Sequence, residues 1–329
     1  MAISQNITHL LTRARAWGSL SRATALALTL AGTMPSTAPA QASKSDAAKK
    51  SEPADRRWAP IRKVFGQEGK VDDGYLHLNF PRSDLHVRVG NDALEPDFEF
   101  VAFFGFVPVG ATNVMAMGEL ILREEEVPAV LTEARTQGIH ITALHNHLLG
   151  ETPRILFTHF TLEGSPDVVA NKLHALIART ATPLGKAAEE PSTANWSAID
   201  AILGKHEEAS GAVVSYGFKR KEHLTVGGHA VKSSGAIETA SEAKFQQLAP
   251  GRVASTGELY LKPDEVEPTV SALNKNGLHV TALHMHMNGD APARFWVHWY
   301  STGDGPTLAR GVAAVLTKMN GDQKSGGKD

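Results

Sequence analysis

The sequence predicts an α+β protein of two tandem homologous units, each with a β-α-β-β-α core, packed together as a pseudo-twofold pair. Two observations support this prediction. A long stretch of the chain recurs at a constant spacing of 139 residues, for example from Gly118 to Gly257. Both copies also show the same order of strand-like and helix-like patterns, and a segment rich in proline, alanine and charge separates them.

The repeat is defined by identical residues between Gly118 and His159 and their counterparts. Gly118-Glu119-Leu120 recurs as Gly257-Glu258-Leu259, and Thr142-Ala143-Leu144-His145 recurs as Thr281-Ala282-Leu283-His284. The further matches are Glu126 with Glu265, Gly138 with Gly277, His147 with His286, Pro153 with Pro292, and His159 with His298. A match of this length at one fixed spacing indicates duplication of a structural unit.

The repeat and the local composition divide the chain into six segments. We expect a secretory signal peptide at 1–40, a disordered linker at 41–56, the first unit at 57–181, a linker at 182–193, the second unit at 194–319 and a disordered tail at 320–329. Basic residues precede the apolar run Ala23–Met34, which is too short for a membrane span, and small residues up to Ala40 offer a cleavage point. The mature protein is therefore expected in the periplasm or outside the cell.

Residue periodicity predicts the elements of the first unit in order. The helix has Val127, Val130 and Leu131 on one side, and Gly138 is placed to end it as a C-cap. The run after Gly138 is apolar and β-branched, as is typical of a strand, and a turn leads into an antiparallel partner. The predicted elements are a strand at 119–122, a helix at 125–137, strands at 139–147 and 155–162, and a helix at 168–179, which corresponds to a helix at 308–318 in the second copy.

The composition excludes several classes of function. The chain has no cysteine, so disulfides, thiolate metal ligands, a cysteine nucleophile and a lipid-modified cysteine are all excluded. Its formal net charge of -2 gives no basic field of the kind that binds nucleic acid. Any metal ligands must therefore be histidine, aspartate or glutamate.

Three histidines of each copy are predicted to converge. Side chains two positions apart on a strand point to the same face, so His145 and His147 share a face, together with Ile141 and Ala143. If the register with the returning strand is even, His159 reaches that face too. The second copy repeats the set with His284, His286 and His298.

A carboxylate completes the predicted set. Glu119, with its counterpart Glu258, lies inside an otherwise apolar strand, where burial is costly unless the group is paired or coordinated. A buried salt bridge or a contact with a helix end would explain it equally well. Glu151, matched by Asp290 in the turn between the two strands, is an alternative ligand.

Three histidines and one carboxylate suit a divalent transition metal, of identity left open by the ligand set. Zinc is the first choice if the protein is hydrolytic. A polar network without metal is the alternative. His140 and His279 are predicted to lie on the opposite face, as structural or supporting groups. The histidines that do not recur are expected to be ordinary hydrogen-bonded residues, namely His77, His86, His174, His206, His223 and His229.

The motifs resemble those of the LppY/LpqO family of bacterial exported proteins. The similar elements are Gly118-Glu119-Leu120, Ala143-Leu144-His145-Asn146-His147 and the segment from Pro153 to His159, and the second copy departs from the pattern at Met285. The resemblance covers nearly the whole mature chain. It implies an exported protein and brings no defined activity. The absence of a cysteine for lipid attachment argues against membrane tethering.

Three functions are compatible with these residues. The first is metal binding or handling in the cell envelope, which a duplicated site favours. The second is a metal-dependent hydrolase acting on an envelope polymer, with Glu119 or Glu151 as general base. The third is metal-free binding of a small ligand. The sequence assigns no catalytic residue and leaves open the choice between enzyme and binding protein, the oligomeric state and the ligand.

Overall fold

The computed structural model describes residues 52–185, 190–286 and 293–319. The expected signal peptide, the tail from 320, and residues 41–51 and 186–189 of the expected linkers lie outside the described residues. So does the turn at 287–292, which includes the alternative ligand Asp290.

The first unit begins earlier than expected, with a helix from Glu52 inside the segment expected to be a disordered linker. Trp58, Ile61 and Phe65 recur at helical spacing and are buried, which explains why this segment orders against the unit. The elements of the unit are α1 (Glu52–Phe65), β1 (Lys70–Asp72), β2 (Tyr75–Pro81), β3 (Arg88–Val89), β4 (Asp92–Ala93), α2 (Pro96–Glu99), β5 (Val101–Val109), β6 (Asn113–Arg123), α3 (Val127–Gln137), β7 (His140–His145), β8 (Glu151–Thr152), β9 (Ile155–Gly164) and α4 (Pro166–Ile177).

The second unit repeats this order with three differences: a small hairpin stands in place of β3 and β4, a 3-10 helix at Gly235–Ile237 stands in place of α2, and no counterpart of β8 occurs among the described residues. Its elements are α5 (Ser197–Leu203), β10 (Glu208–Ser210), β11 (Val213–Phe218), β12 (Leu224–Val226), β13 (His229–Val231), β14 (Ser241–Ala249), β15 (Arg252–Leu261), α6 (Val266–Lys275), β16 (His279–His284), β17 (Phe295–Gly303) and α7 (Gly305–Leu316).

Each unit forms a six-stranded antiparallel sheet, and the two sheets have the same strand order. The order is β1-β2-β5-β6-β9-β7 in the first unit and β10-β11-β14-β15-β17-β16 in the second. The predicted β-α-β-β-α core is present in both. Gly138 has a φ of 67° and ends α3 as predicted. The α+β fold with two homologous units is thus confirmed.

The two faces of each sheet have different partners. Along β6, Ala116, Leu120 and Leu122 belong to the core shared with the helices of the first unit. Because successive side chains alternate, Met117 and Glu119 face the other way. On that side a separate apolar cluster joins the units, with Met115 and Met117 packed in the same cluster as Trp296. The helix-free faces of the two sheets are therefore turned toward each other.

The register of the β7–β9 pair brings the predicted residues to this inner side. Ala143 pairs with His159, and His145 pairs with Phe157, so the register is even as expected. An irregularity between Ile141 and Ala143 shifts the pairing by one residue. The expectation that Ile141 shares the face of His145 is therefore wrong, since Ile141 pairs with Phe160 and packs against the helix-side core.

In each unit a buried arginine holds the start of a helix in place, namely α3 after β6 in the first unit and α6 after β15 in the second. Arg82 is fully buried and contacts Asp84 and Glu126 at 2.8 and 3.1 Å, besides donating a hydrogen bond to the carbonyl of Ile121. Arg220 makes the equivalent contacts with Glu222, Glu265 and the carbonyl of Tyr260. This explains why Glu126 and Glu265 recur although both lie away from the histidines.

The recurring glycine of the Gly-Glu-Leu motif has a packing explanation. A Cβ on Gly118 would collide with the carbonyl oxygen of Phe103 and lie 3.0 Å from the ring of Phe160. A Cβ on Gly257 would collide with the carbonyl of Glu242 and the ring of Trp299. In both sheets an aromatic ring of the adjacent strand packs over the glycine on the helix side. Because successive residues alternate, the glutamate that follows the glycine lies on the inner face.

We predict that Gly118→Ala and Gly257→Ala each lower the free energy of unfolding by about 1–3 kcal/mol, because the added methyl overpacks the strand. Urea unfolding followed by circular dichroism measures this change. Gly185→Ala is the control, since a Cβ there meets open space within the described chain, and its effect should stay within about 0.5 kcal/mol. Equal stability of all three variants and the wild type would refute the packing explanation.

Candidate metal centre

The three predicted histidines of the first unit come together at the end of β7. His145 is the last residue of the strand, and His147 lies two residues beyond it in a bend, so strand alternation alone does not place the pair. The Nε2 atoms of His145 and His147 are 3.2 Å apart. The ring of His147 stacks on Phe157 with a centroid distance of 3.6 Å and an interplanar angle of 2°, which fixes its orientation.

Glu119 lies beside these rings, as the sequence predicted. Its Oε2 is 3.1 Å from Nε2 of His159 and 3.4 Å from Nε2 of His147. Ligand atoms bound to one tetrahedral ion at about 2.0–2.1 Å lie about 3.3–3.4 Å from one another. The three measured separations, 3.1, 3.2 and 3.4 Å, are close to this value. Glu119, His145, His147 and His159 form a group that could hold a metal ion.

The histidines of the second unit also converge, with a different fourth partner. Nε2 of His284 lies 2.9 Å from Nε2 of His298, and His286 stacks on Trp296 at 3.9 Å. These three histidines form their group with His145 of the first unit. Glu258 pairs with His298 in the sheet register but stands outside this group, half-buried at the wall of a cavity.

The two predicted sites are parts of one cluster. The rings of His145 and its counterpart His284 have centroids 3.5 Å apart and are tilted by 35°. His147 stacks on His298 at 3.8 Å, and the pseudo-twofold equivalent pair, His286 and His159, stacks at 3.6 Å. The sequence could not show this, because residue spacing within one copy carries no information about how the two sheets face each other.

Two further glutamates belong to the cluster and were missed in the sequence. Glu99 at the end of α2 places Oε2 3.2 Å from Nδ1 of His147, and its Oε1 accepts a hydrogen bond from the hydroxyl of Thr256 in the other unit. Glu99 and Glu238 are themselves separated by 139 residues, the spacing of the repeat. Extending the comparison of the copies upstream of Gly118 would have found them.

Glu238 links histidines of both units. Its Oε2 lies 3.2 Å from Nδ1 of His286 and 3.4 Å from Nδ1 of His159. A carboxylate on one ring nitrogen orients the imidazole and leaves the other nitrogen for a metal, an arrangement that typically supports metal-bound histidines. Nε2 of His159 is thus directed toward Glu119.

Burial changes the ionisation of the whole cluster. Desolvation lowers the pKa of all six histidines, to about 3 for His159 and His284, so the rings are neutral and able to ligate. Desolvation raises the pKa of Glu99 to about 7. It raises the pKa values of Glu119, Glu238 and Glu258 well above 4.5, reinforced by the neighbouring carboxylates. A cation would reverse this effect on the carboxylates.

Several buried polar atoms of the cluster have no hydrogen-bond partner within the described residues. They are Oε2 of Glu119 and Glu238, Nδ1 of His145 and His284, Nε2 of His159, and both ring nitrogens of His286. Unsatisfied buried polar groups are costly and unusual in native proteins. Bonds to a metal ion would satisfy the Nε2 atoms and the Glu119 oxygen directly, so the donor set fits a metal.

A cavity of about 1100 Å³ between the two sheets reaches the cluster. Glu119, His147 and His298 form part of its wall. The described lining contains three lysines and eleven acidic residues: Glu68, Asp72, Asp97, Glu99, Glu119, Glu190, Glu207, Glu208, Glu238, Glu242 and Glu258. A cleft with this excess of acidic groups favours the entry of cations.

The remaining sequence candidates lie elsewhere. Glu151 accepts a hydrogen bond from the backbone of Ile155 at 3.3 Å and sits in β8, outside the cluster. His140 and His279 are exposed at the start of their strands. The irregularity in β7 pairs His140 with Thr161, so the expectation that His140 lies on the opposite face from His145 is wrong.

Three of the histidines that do not recur have ordinary hydrogen-bond partners, as expected. His77 contacts the carbonyl of Ala236 at 3.0 Å, His206 contacts Asp200 at 2.9 Å, and His229 contacts Glu163 at 2.9 Å.

Comparison with known proteins gives one family. The model of a family described as a Domain of Unknown Function (DUF1259) matches the chain twice, at residues 59–179 and 197–318. No curated protein matches the chain. Among solved structures, the trimeric bacterial microcompartment shell protein PduB is similar at 8% identity, over 79% of this chain and 97% of that chain, with a TM-score of 0.20. A TM-score this low supports no statement about fold or function.

Among the helices in the described part of the chain, none has the length and apolar character needed to cross a bilayer.

We predict that Glu99 makes the metal-free protein less stable as the pH rises. Its folded pKa is raised, so its contribution to stability is fully present below the unfolded pKa of about 4.3 and is lost as the pH rises through 7. Glu99→Gln stays neutral. The difference in unfolding free energy, wild type minus variant, should fall by up to about 3 kcal/mol between pH 4.5 and 8. Urea titrations of chelator-treated protein measure it, and a difference that rises with pH would contradict the assignment.

Proposed function

The chain belongs to the DUF1259 family, with two tandem copies of the domain, and we propose that it binds a divalent transition-metal ion at the interface of the two copies. The observation that carries the proposal is the set of Nε2 and carboxylate atoms of His145, His147, His159 and Glu119, separated by 3.1–3.4 Å where measured. These atoms belong to buried, neutral imidazoles and a carboxyl group.

The ligand chemistry favours the later first-row metals. Neutral imidazole suits zinc, copper and nickel, whereas magnesium and calcium prefer all-oxygen sites. Bonds from Nε2 leave Nδ1 of His147 and His286 on Glu99 and Glu238. These carboxylates hold the rings in position and favour donation from Nε2. The raised pKa values of the neighbouring carboxylates indicate that the cluster lacks positive charge when no ion is bound. The bound ion would supply that charge.

The proposed role is metal binding or handling in the cell envelope. The basic start, apolar run and small-residue pattern up to Ala40 support export, with cleavage near that residue. The resemblance of the motifs to the LppY/LpqO family supports the same location. The acidic lining of the cavity supports a cation as the cargo, because an anionic polymer would be repelled from it.

A metal-dependent hydrolase is the second candidate, and the cavity is the observation that favours it. The opening reaches Glu119, Glu258 and His298, so a substrate could approach the centre. Glu258 stands beside the second group of histidines without joining it, which is the position of a general base. A neutral or cationic substrate would suit the acidic walls better than an anionic one.

We predict that the mature protein, purified without a chelator or an affinity tag of histidines, contains bound transition metal by inductively coupled plasma mass spectrometry. His145→Ala/His147→Ala and His284→Ala/His286→Ala should each lose metal, because each removes two ligands from the cluster. His140→Ala/His279→Ala is the matched control, since these exposed histidines lie on the same strands outside the cluster, and it should retain the metal content of the wild type.

The outcome against the proposal is wild-type protein that contains no metal even after incubation with zinc, copper or nickel salts. The cluster would then be a metal-free polar network or the wall of a small-ligand pocket.

We also predict that Glu238→Ala weakens metal binding by roughly 10–100-fold, because it frees the rings of His159 and His286 to rotate. Competition with a chromophoric chelator measures the affinity. Glu163→Ala is the control, since that carboxylate pairs with His229 at the surface. Unchanged affinity in Glu238→Ala would show that Glu238 does not position the histidines.

A further inference from the structure

The six histidines of the cluster lie in two layers, one from each unit. In the first layer, the ring of His145 is 5.1 Å from His147 and 5.0 Å from His159. In the second, the ring of His284 is 4.8 Å from His286 and 5.0 Å from His298. Every ring of one layer contacts a ring of the other. His159 and His286 stack at 3.6 Å and His147 and His298 at 3.8 Å, whereas His145 and His284 are tilted by 35° with centroids 3.5 Å apart.

This arrangement in two layers limits which histidines a single ion can bind. The lone pair of an imidazole nitrogen lies in the plane of the ring, so a bound ion lies close to that plane. Within the first layer, Nε2 of His145 and Nε2 of His147 converge at 3.2 Å, and within the second, Nε2 of His284 and His298 converge at 2.9 Å. The rings of a stacked pair do not direct their in-plane lone pairs at one point, so His147 and His298 do not share one ion, nor do His159 and His286.

We infer that the centre binds two metal ions side by side, one in each histidine layer and about 4 Å apart, the separation typical of two-metal sites. The inference rests on the proposed metal binding and adds the number of ions and their arrangement. The first-layer ion takes His145, His147, His159 and Glu119. The second-layer ion takes His284, His286 and His298.

The carboxylates of the cluster supply the charge that two neighbouring cations need. Two divalent ions carry four positive charges, and Glu99, Glu119, Glu238 and Glu258 carry four negative charges when deprotonated. All four line the cavity at the cluster. Glu238 contacts Nδ1 of one ring in each layer, so a single carboxylate fixes a ligand of each ion.

The two positions differ in how complete their ligand sets are. In the first layer, Glu119 is 5% exposed and lies within contact distance of two histidines. In the second layer, Glu258 is half-buried and faces the cavity. The second position therefore has the three histidines of its own layer, with the ligand atom of His145 within 4.8 Å of theirs, and no carboxylate in its group.

Titration with Cu²⁺ tests the inference. The mature protein is first treated with a chelator to remove any bound metal. We expect two equivalents of Cu²⁺ bound and an electron paramagnetic resonance spectrum of a coupled pair, with a half-field transition. His147→Ala/His159→Ala and His286→Ala/His298→Ala each disable one layer, so each should bind one equivalent and give the uncoupled signal of isolated Cu²⁺. His140→Ala/His279→Ala should keep two coupled ions.

Three results would overturn the inference of two metal ions. One equivalent in the wild type, abolished by both layer variants, would mean a single shared ion and would leave the proposed metal binding intact. Two equivalents with an uncoupled spectrum would mean ions far apart. No copper bound by the wild type would overturn the two-ion inference, and failure to bind zinc and nickel as well would remove the proposed function. If circular dichroism shows that an alanine variant is unfolded, the glutamine variants of the same residues, which keep much of the side-chain volume, take its place.

Discussion

The structure depends on the burial of ionisable groups between two sheets. His147, His159, His286 and His298 are each less than 5% exposed, and their rings stack in pairs with neutral imidazoles of the other unit. Burying the atoms of the cluster that have no hydrogen-bond partner among the described residues, such as Nε2 of His159 and Oε2 of Glu119, costs several kcal/mol. A metal ion at the cluster would remove that cost, because it would bond to the Nε2 atoms and neutralise the neighbouring carboxylates. Metal binding at the cluster and the packing of the two units against each other would therefore stabilise one another.

Duplication explains how one chain builds such a centre. A single unit would expose its histidine face to water, whereas two units bury both faces and share Glu238 and the contact between His145 and His284. The glycines at 118 and 257 admit the aromatic ring of the adjacent strand on the helix side, so the following glutamates face inward. The copies differ at this position, since Glu119 belongs to a group with its histidines whereas Glu258, which also lines the cavity, belongs to none of the groups that could hold a metal among the described residues.

Much of the fold and half of the site could be predicted from the sequence. The repeat allowed each strand and helix to be predicted from two copies. Strand alternation put His159 on the face of His145 if the register was even, and the pairing of Ala143 with His159 has that register. Glu99 and Glu238 lie before β5 and β14, where no periodic pattern indicates a face, and only their spacing of 139 residues relates them. Two features could not be predicted. The irregularity after Ile141 changes which residues share a side and leaves no signature in residue type. The contact of His145 with His284 depends on how two sheets pack, which spacing along one copy does not determine.

The most direct measurement is anomalous X-ray diffraction from crystals of the metal-loaded protein, collected on both sides of the absorption edge of the metal. We expect anomalous density at the interface of the two units, within bonding distance of Nε2 of His145, His147 and His159. Density confined to surface carboxylates, or absence of density among these histidines in crystals soaked with zinc or copper, would contradict it.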